Sequence, residues 1–497
     1  MPANSLVQRP DGARAVLRDV AQYVSADVLT KLIGAISFLY VGKILLPDEF
    51  GYYAMALFVV SLGSSLGEWG GASIILRDYH SKGASCLLQA IPVTLVTWSV
   101  MSGLVLTLGN WVCQWNPAFA ALKEHPYVIC VLLLSNPLTT LVVSYLVVSL
   151  RARIVCATTI AKSSAQMILL VVLATYLRSY SAQVYALVIA DLFGLVIPLF
   201  YFRRGVARLG RRLLCVEFWR SLGSQVRAGF VFFSKELISV FQVYLSRIIV
   251  AAYLSIPLLG VYSFFLNIMM SLGLLIVSVD RVYTPRMIRL FSESPGRHRF
   301  VLAGILPLSA LVGVSGYLIL VAGGEAGLYH LALRSEYVTQ SVMLNGLLFV
   351  LVSSALLQMI SFSYYIGEKN TSIQKQALIN LIFVIVLQFV LVPRLGLRGA
   401  VLAEVLASGL RLVSLWLLNR QILGLGADAL KLIGLVWLSI GLVSLGLFKP
   451  SLAALCGMTM AFGTGVYAYA SFNHVREFCR QFSGGWGLVA PSDLTNA

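Results

Sequence analysis

The chain has 497 residues, 59% hydrophobic and 11% charged, with a mean hydropathy of +0.87 and a formal net charge of +17. Soluble proteins carry roughly 25% charged residues, so this composition excludes an ordinary aqueous surface and requires lipid as the solvent. The positive balance lies in short loops between apolar segments, where it reads as the bias of cytoplasmic loops rather than as a nucleic-acid footprint.

The chain opens on MPANSLVQRPDGARAVLRDV, polar and basic and unlike a cleavable signal peptide. A hydrocarbon core about 30 Å thick needs about 20 apolar residues per helix, and lipid forces each backbone group to find its partner inside the segment. This predicts an all-α polytopic protein with fourteen spans, at about 23–46, 52–76, 87–108, 127–150, 157–177, 182–202, 228–253, 260–284, 301–322, 342–367, 376–392, 399–418, 432–447 and 452–471. With the N-terminus inside, cytoplasmic segments hold 24 Lys and Arg against 6 outside, and the 203–227 loop alone has seven arginines. Both ends are therefore expected in the cytoplasm. The outer loops at 109–126 and 323–341 are too short to fold as a catalytic domain. The seven cysteines show no metal-ligand spacing; Cys113 and Cys130 flank one loop and either pair or remain packing thiols. No phosphate-binding glycine motif is present, and neither a cofactor nor a metal is expected.

One stretch is written twice. LLPDEFGYYAMALFV at 45–59 returns as LSIPLLGVYSFFLNI at 254–268, pairing Gly51 with Gly260 and Tyr53 with Tyr262 at an offset of 209. The same offset pairs Asp27 with Glu236, Ser37 with Ser246 and Arg77 with Arg286. An offset of 213 pairs Lys162 with Lys375 and Asp191 with Glu404. The organisation expected is a cytoplasmic segment 1–22, a six-helix half 23–202, a basic connector 203–227, a second half 228–418, two additional helices within 432–471 and a cytoplasmic tail 472–497. Six spans per half make the halves parallel, the arrangement in which two bundles rock about a central site.

The segments 36–78, 259–287 and 366–408, the last containing VPRLGLRGA, resemble three successive blocks of the polysaccharide transporters within the multidrug/oligosaccharidyl-lipid/polysaccharide exporter superfamily. In size the chain is similar to exporters of capsular polysaccharides and exopolysaccharides, xanthan-type included. The resemblance implies a flippase that moves undecaprenyl-diphosphate-linked repeat units to the outer leaflet for polysaccharide biosynthesis. It also implies as partners the lipid-linked oligosaccharide, membrane lipid, and the polymerase and chain-length or export proteins of the same pathway.

Ionisable residues inside spans default to a functional hypothesis. Lys31 lies roughly 12 Å in from the cytoplasmic end, with Asp27 one turn away on the same face. Glu68, Lys235, Glu236, Asp191, Glu404 and Arg411 also fall within spans. In the functional reading Lys31, Lys235 and Arg411, joined by Arg247, attract the diphosphate. Asp27, Glu68 and Glu236, with Asp191 and Glu404, then balance charge or carry a coupling ion. In the structural reading Asp27–Lys31 and Glu404–Arg411 neutralise each other, and Arg247, Asp280 and Arg281 snorkel to the interface from span ends. Gly42, Gly63, Gly67, Gly70 and Gly71 suit close helix packing or bending in the first hairpin, and Pro137 a kink. Rival readings are a multidrug or toxin exporter of the same superfamily and a membrane polysaccharide polymerase; the latter needs a long outer loop rich in Arg and His.

Overall fold

A computed structural model describes residues 29–30, 33–34, 36–82, 85–149, 151–201, 222–270, 335–340, 342–344, 346–347, 349–351, 353–354 and 370–423. Their regular structure is helical throughout. After helical residues 36–44 come α1 (Pro47–Glu68), α2 (Gly71–Lys82), α3 (Ser85–Trp115), a 3-10 turn (Pro117–Phe119), α4 (Ala120–Glu124), α5 (Pro126–Val148), α6 (Ala152–Leu177), α7 (Ser181–Tyr201), α8 (Leu222–Tyr253) and α9 (Ile256–Met270). Further on lie α10 (Ser335–Val338), α11 (Val342–Leu351), α12 (Asn370–Leu395) and α13 (Leu397–Leu423). Among the described residues, seven stretches are long and apolar enough to cross a membrane: 47–75, 89–115, 126–148, 153–177, 181–198, 232–253 and 375–395. The chain is a multi-pass membrane protein. The expected spans at 301–322, 432–447 and 452–471 lie outside the described residues, as do Arg77's side chain, Asp280, Arg281 and Arg286.

The second expected span is not one helix. α1 begins at Pro47, whose missing N–H costs nothing in a first turn, with Asp48 and Glu49 against the positive end of the helix dipole. It ends at Trp69 in the left-handed conformation, its N–H on the Ser65 carbonyl, and Gly70 follows at φ +69°. α2 then restarts at Gly71. Hydropathy runs unbroken across this point, so a sliding window reads one helix where the backbone makes two.

By contacts the chain divides into two compact units, 1–278 and 279–497. In the first, α1 packs on α3, α5 and α8, α2 packs on α3 and α5, and α6 and α7 form a long hairpin. Small residues set the α1–α5 distance. A Cβ on Gly63 would lie 2.1 Å from Leu133, one on Gly67 2.8 Å from the Pro137 ring, and one on Gly71 2.8 Å from Leu141. These glycines recur every fourth residue, on one face of the α1–α2 segment. A core of Ile75, Cys86, Ala90 and Leu141 closes the α2 end, with Tyr79 and Tyr145 against it. Trp111, Trp115, Tyr127 and Tyr176 are exposed near the ends of α3, α5 and α6, where aromatic rings suit a membrane interface. Cys113 and Cys130 are free thiols; the Cys130 sulfur faces the Ser102 carbonyl at 3.9 Å. In the second unit, α12 and α13 form another hairpin.

Candidate functional site

Charged and polar side chains lie at several points along the helix contacts. Glu68, the last residue of α1, accepts a hydrogen bond from Thr140 of α5 and lies within electrostatic range of Glu236 on α8. Two acids expected on separate spans thus lie within electrostatic range of each other across one helix pair. Their approach is set by the turn beside it. The Trp69 indole stacks on Phe233 at 4.1 Å between centroids and donates to the Val226 carbonyl at 3.0 Å. A Cβ on Gly229 would stand 2.2 Å from the Trp69 carbonyl oxygen.

Farther along α8, Ser61 of α1 donates to the Tyr244 hydroxyl at 2.8 Å. Arg247 lies one turn beyond and is 1% exposed. Its guanidinium donates to Asn267 Oδ1 at 2.9 Å and sits 4.8 Å from the Tyr244 ring centroid. Tyr53 and Tyr262, which match at the offset of 209, also act on it electrostatically, and the Met270 sulfur lies 3.9 Å from it. The expected snorkelling of Arg247 is therefore corrected: the side chain turns inward onto the Tyr244 ring and Asn267 of α9, while its Nε makes no hydrogen bond among the described residues.

Asp191 of α7 has no solvent exposure and pairs with Lys162 of α6. The two residues share the 213 offset with Lys375 and Glu404, and that shared spacing was the signal that could have joined them. In the second unit Glu404 accepts from Gln388 at 3.1 Å across the α12–α13 hairpin. Gln376 donates to the Arg411 carbonyl at 3.2 Å and to the Ser414 hydroxyl at 2.7 Å. Lys375 is exposed. Asp27 and Lys31 lie outside the described residues; Lys235 falls on α8, and its side chain lies outside them too.

A further polar cluster ties the loops at the start of α1. The Tyr180 backbone N–H donates to Glu49 at 2.5 Å and its hydroxyl donates to Glu124. His125 contacts the Ser181 hydroxyl at 2.7 Å and the Tyr185 hydroxyl at 3.4 Å. Burial, and then the Glu124 carboxylate, raise the Tyr180 phenol above its ordinary value. Sequence reasoning missed this clasp because its members are 56 and 131 residues apart. Among the described residues no three His, Cys, Asp or Glu side chains are grouped to hold a metal ion.

A bundle of broken and continuous membrane helices with buried charge at its helix contacts has the architecture of a polytopic transporter. A family described as "polysaccharide biosynthesis protein" matches residues 41–312, more than half the chain. The chain belongs to that family. Its structure is similar to the lipid II flippase MurJ in an inward closed conformation, with a TM-score of 0.66 at 13% identity over 90% of this chain and 98% of that one. It is also similar to an inward-facing multidrug resistance MATE transporter of the multidrug/oligosaccharidyl-lipid/polysaccharide superfamily, at 0.55, with 15% identity over 80% and 94%. A third similar structure is the eukaryotic MATE transporter AtDTX14, at 0.50, with 16% identity over 81% and 96%. No curated protein matches the chain by sequence.

Proposed function

We propose that this protein carries undecaprenyl-diphosphate-linked oligosaccharide repeat units from the cytoplasmic to the outer leaflet of a bacterial inner membrane, for exopolysaccharide or other surface polysaccharide synthesis. The observation that carries the reading is the coincidence of a polysaccharide-biosynthesis family match with the fold of a lipid II flippase across nine-tenths of the chain. The task itself selects the remaining features. A diphosphate and a large sugar must cross hydrocarbon while the prenyl chain stays in it, so the path needs fixed cations in a hydrated, alternately opened space.

Lys31, Lys235 and Arg411 attract the diphosphate, and Arg247 is the buried cation in reach of the same path. Asp27, Glu68 and Glu236 balance these charges or carry a coupling ion, while Asp191 and Glu404 hold hairpins together. Spans 1–6 and 7–12 move as two parallel halves with both chain ends in the cytoplasm. The polymerase and chain-length or export proteins of the pathway receive the product.

The test is made in a strain lacking the protein. Complete, unpolymerised lipid-linked units are expected to accumulate on the cytoplasmic side, with surface polysaccharide lost. Wild type restores export; Lys31→Ala and Glu236→Ala do not. Complete units on the outer face sink the flippase and move the assignment to polymerisation. The likeness to multidrug MATE transporters favours one second reading: normal polysaccharide with new drug sensitivity establishes a multidrug exporter instead.

A further inference from the structure

The repeated motif makes a contact with itself. A Cβ on Gly260 would stand 1.5 Å from the Pro47 carbonyl oxygen and 3.0 Å from the Gly51 nitrogen. One on Gly51 would stand 2.6 Å from the Ile256 carbonyl oxygen and 3.4 Å from the Gly260 nitrogen. Pro47 and Ile256 are the first residues of α1 and α9, and they differ by 209, as Gly51 and Gly260 do. The two contacts thus correspond residue for residue at the same offset of 209.

Neither glycine is among the described residues with positive φ. Backbone conformation does not require glycine at either place, and glycine within a helix costs stability relative to alanine. What both positions require is the absence of a side chain, so that one helix start lies on the other backbone to backbone. Beneath the crossing, Phe50 packs edge-on against Phe264 at 5.5 Å, and Tyr53 and Tyr262 are buried. The Ser263 hydroxyl is fully buried with no hydrogen-bond partner among the described residues. The Gly63, Gly67 and Gly71 face joins helices of one repeat copy; this crossing joins the two copies, the elements that must part if the halves rock.

We infer that the Gly51–Gly260 crossing is the outer seal of the substrate path, closed by backbone contact between the two repeats and broken each time the path opens outward. This rests on the reading of two rocking halves given above. A methyl group at 260 meets a carbonyl oxygen, which no rotamer relieves, so the closed arrangement is lost there first. Gly51→Ala is milder, because its overlaps are smaller.

The test uses the full chain in intact cells, with Ser263→Cys as probe, a membrane-impermeant maleimide outside, and the label located by peptide mass. Gly260→Ala is expected to raise labelling at 263 at least tenfold and to abolish export. Gly51→Ala raises it less. Gly103→Ala, where a Cβ meets nothing within 4 Å, changes neither. If Gly260→Ala does not accumulate in the membrane, the Gly51→Ala result decides. Labelling at the parent level in a variant that accumulates overturns the seal, even with export lost, since static packing alone then explains the glycines. Label arriving only in inverted vesicles overturns it too. Raised labelling together with normal polysaccharide in the deletion strain supports the seal and removes the flippase reading.

Discussion

An aspartate without solvent exposure in a membrane helix needs a cation, and Asp191 has Lys162 across the α6–α7 hairpin. Lys162 is 25% exposed along its side chain, so the pair is screened on one side only. Lys162→Ala strands the carboxylate and should cost about 3–5 kcal/mol, read as a lower apparent Tm of purified protein in detergent. Lys162→Met with Asp191→Leu removes both charges at similar volume and should recover most of that loss. Equal losses in the single and double variants would show that the pair does not act as a unit. Tyr180 gives a pH-dependent case in the loops. Its phenol holds its proton more tightly in the folded chain, so its contribution is complete below the ordinary value near 10 and is lost as pH rises through the raised folded value. Tyr180→Phe should lower stability by about 1.5–3 kcal/mol, the worth of a hydrogen bond to a charged acceptor. The gap to wild type should stay constant between about pH 6 and 9 and shrink only above about pH 10. A gap that varies across the neutral range would show that the Tyr180 phenol is not the group responsible.

The α1–α5 contact shows how an element's register follows from small residues. Gly63, Gly67 and Gly71 let α5 approach so closely that Leu133, Pro137 and Leu141 fill the spaces side chains would occupy. Leu133 can turn away from an added methyl, whereas the Pro137 ring cannot. Gly67→Ala should therefore destabilise by about 1–3 kcal/mol and Gly63→Ala by less, with thermal unfolding in detergent as the measure. The sequence marked these glycines as a packing face and Pro137 as a kink. It did not show that Pro137 is the knob that meets Gly67, because that pairing joins helices 70 residues apart. The glycines allowed a bend in this hairpin but did not place the break after Glu68: Trp69 is apolar and prolongs the hydropathy run, and the left-handed backbone at Trp69 and Gly70 separates α1 from α2.

For the whole molecule, the strongest consequence of the charge bias is orientation. A topology reporter placed after Lys123 should be active outside, one placed in the 203–227 connector should not, and the reverse result would invert every statement about inner and outer ends. Composition by itself determined that lipid is the solvent, because 11% charge leaves no aqueous surface. Segment length determined helices and most of their positions, since a span of fixed thickness needs a fixed number of apolar residues. The offsets in sequence showed that one stretch recurs in similar form 209 residues on. Only the tertiary structure decided that the recurring glycines touch, that Glu68 lies within electrostatic range of Glu236, and that Arg247 turns inward to Tyr244 and Asn267. Those facts depend on which helix faces lie together. Helix faces of nearly uniform hydrophobicity carry no polar side to announce their neighbours, so proximity is decided by shape and by the few buried polar groups, not by any pattern along the chain.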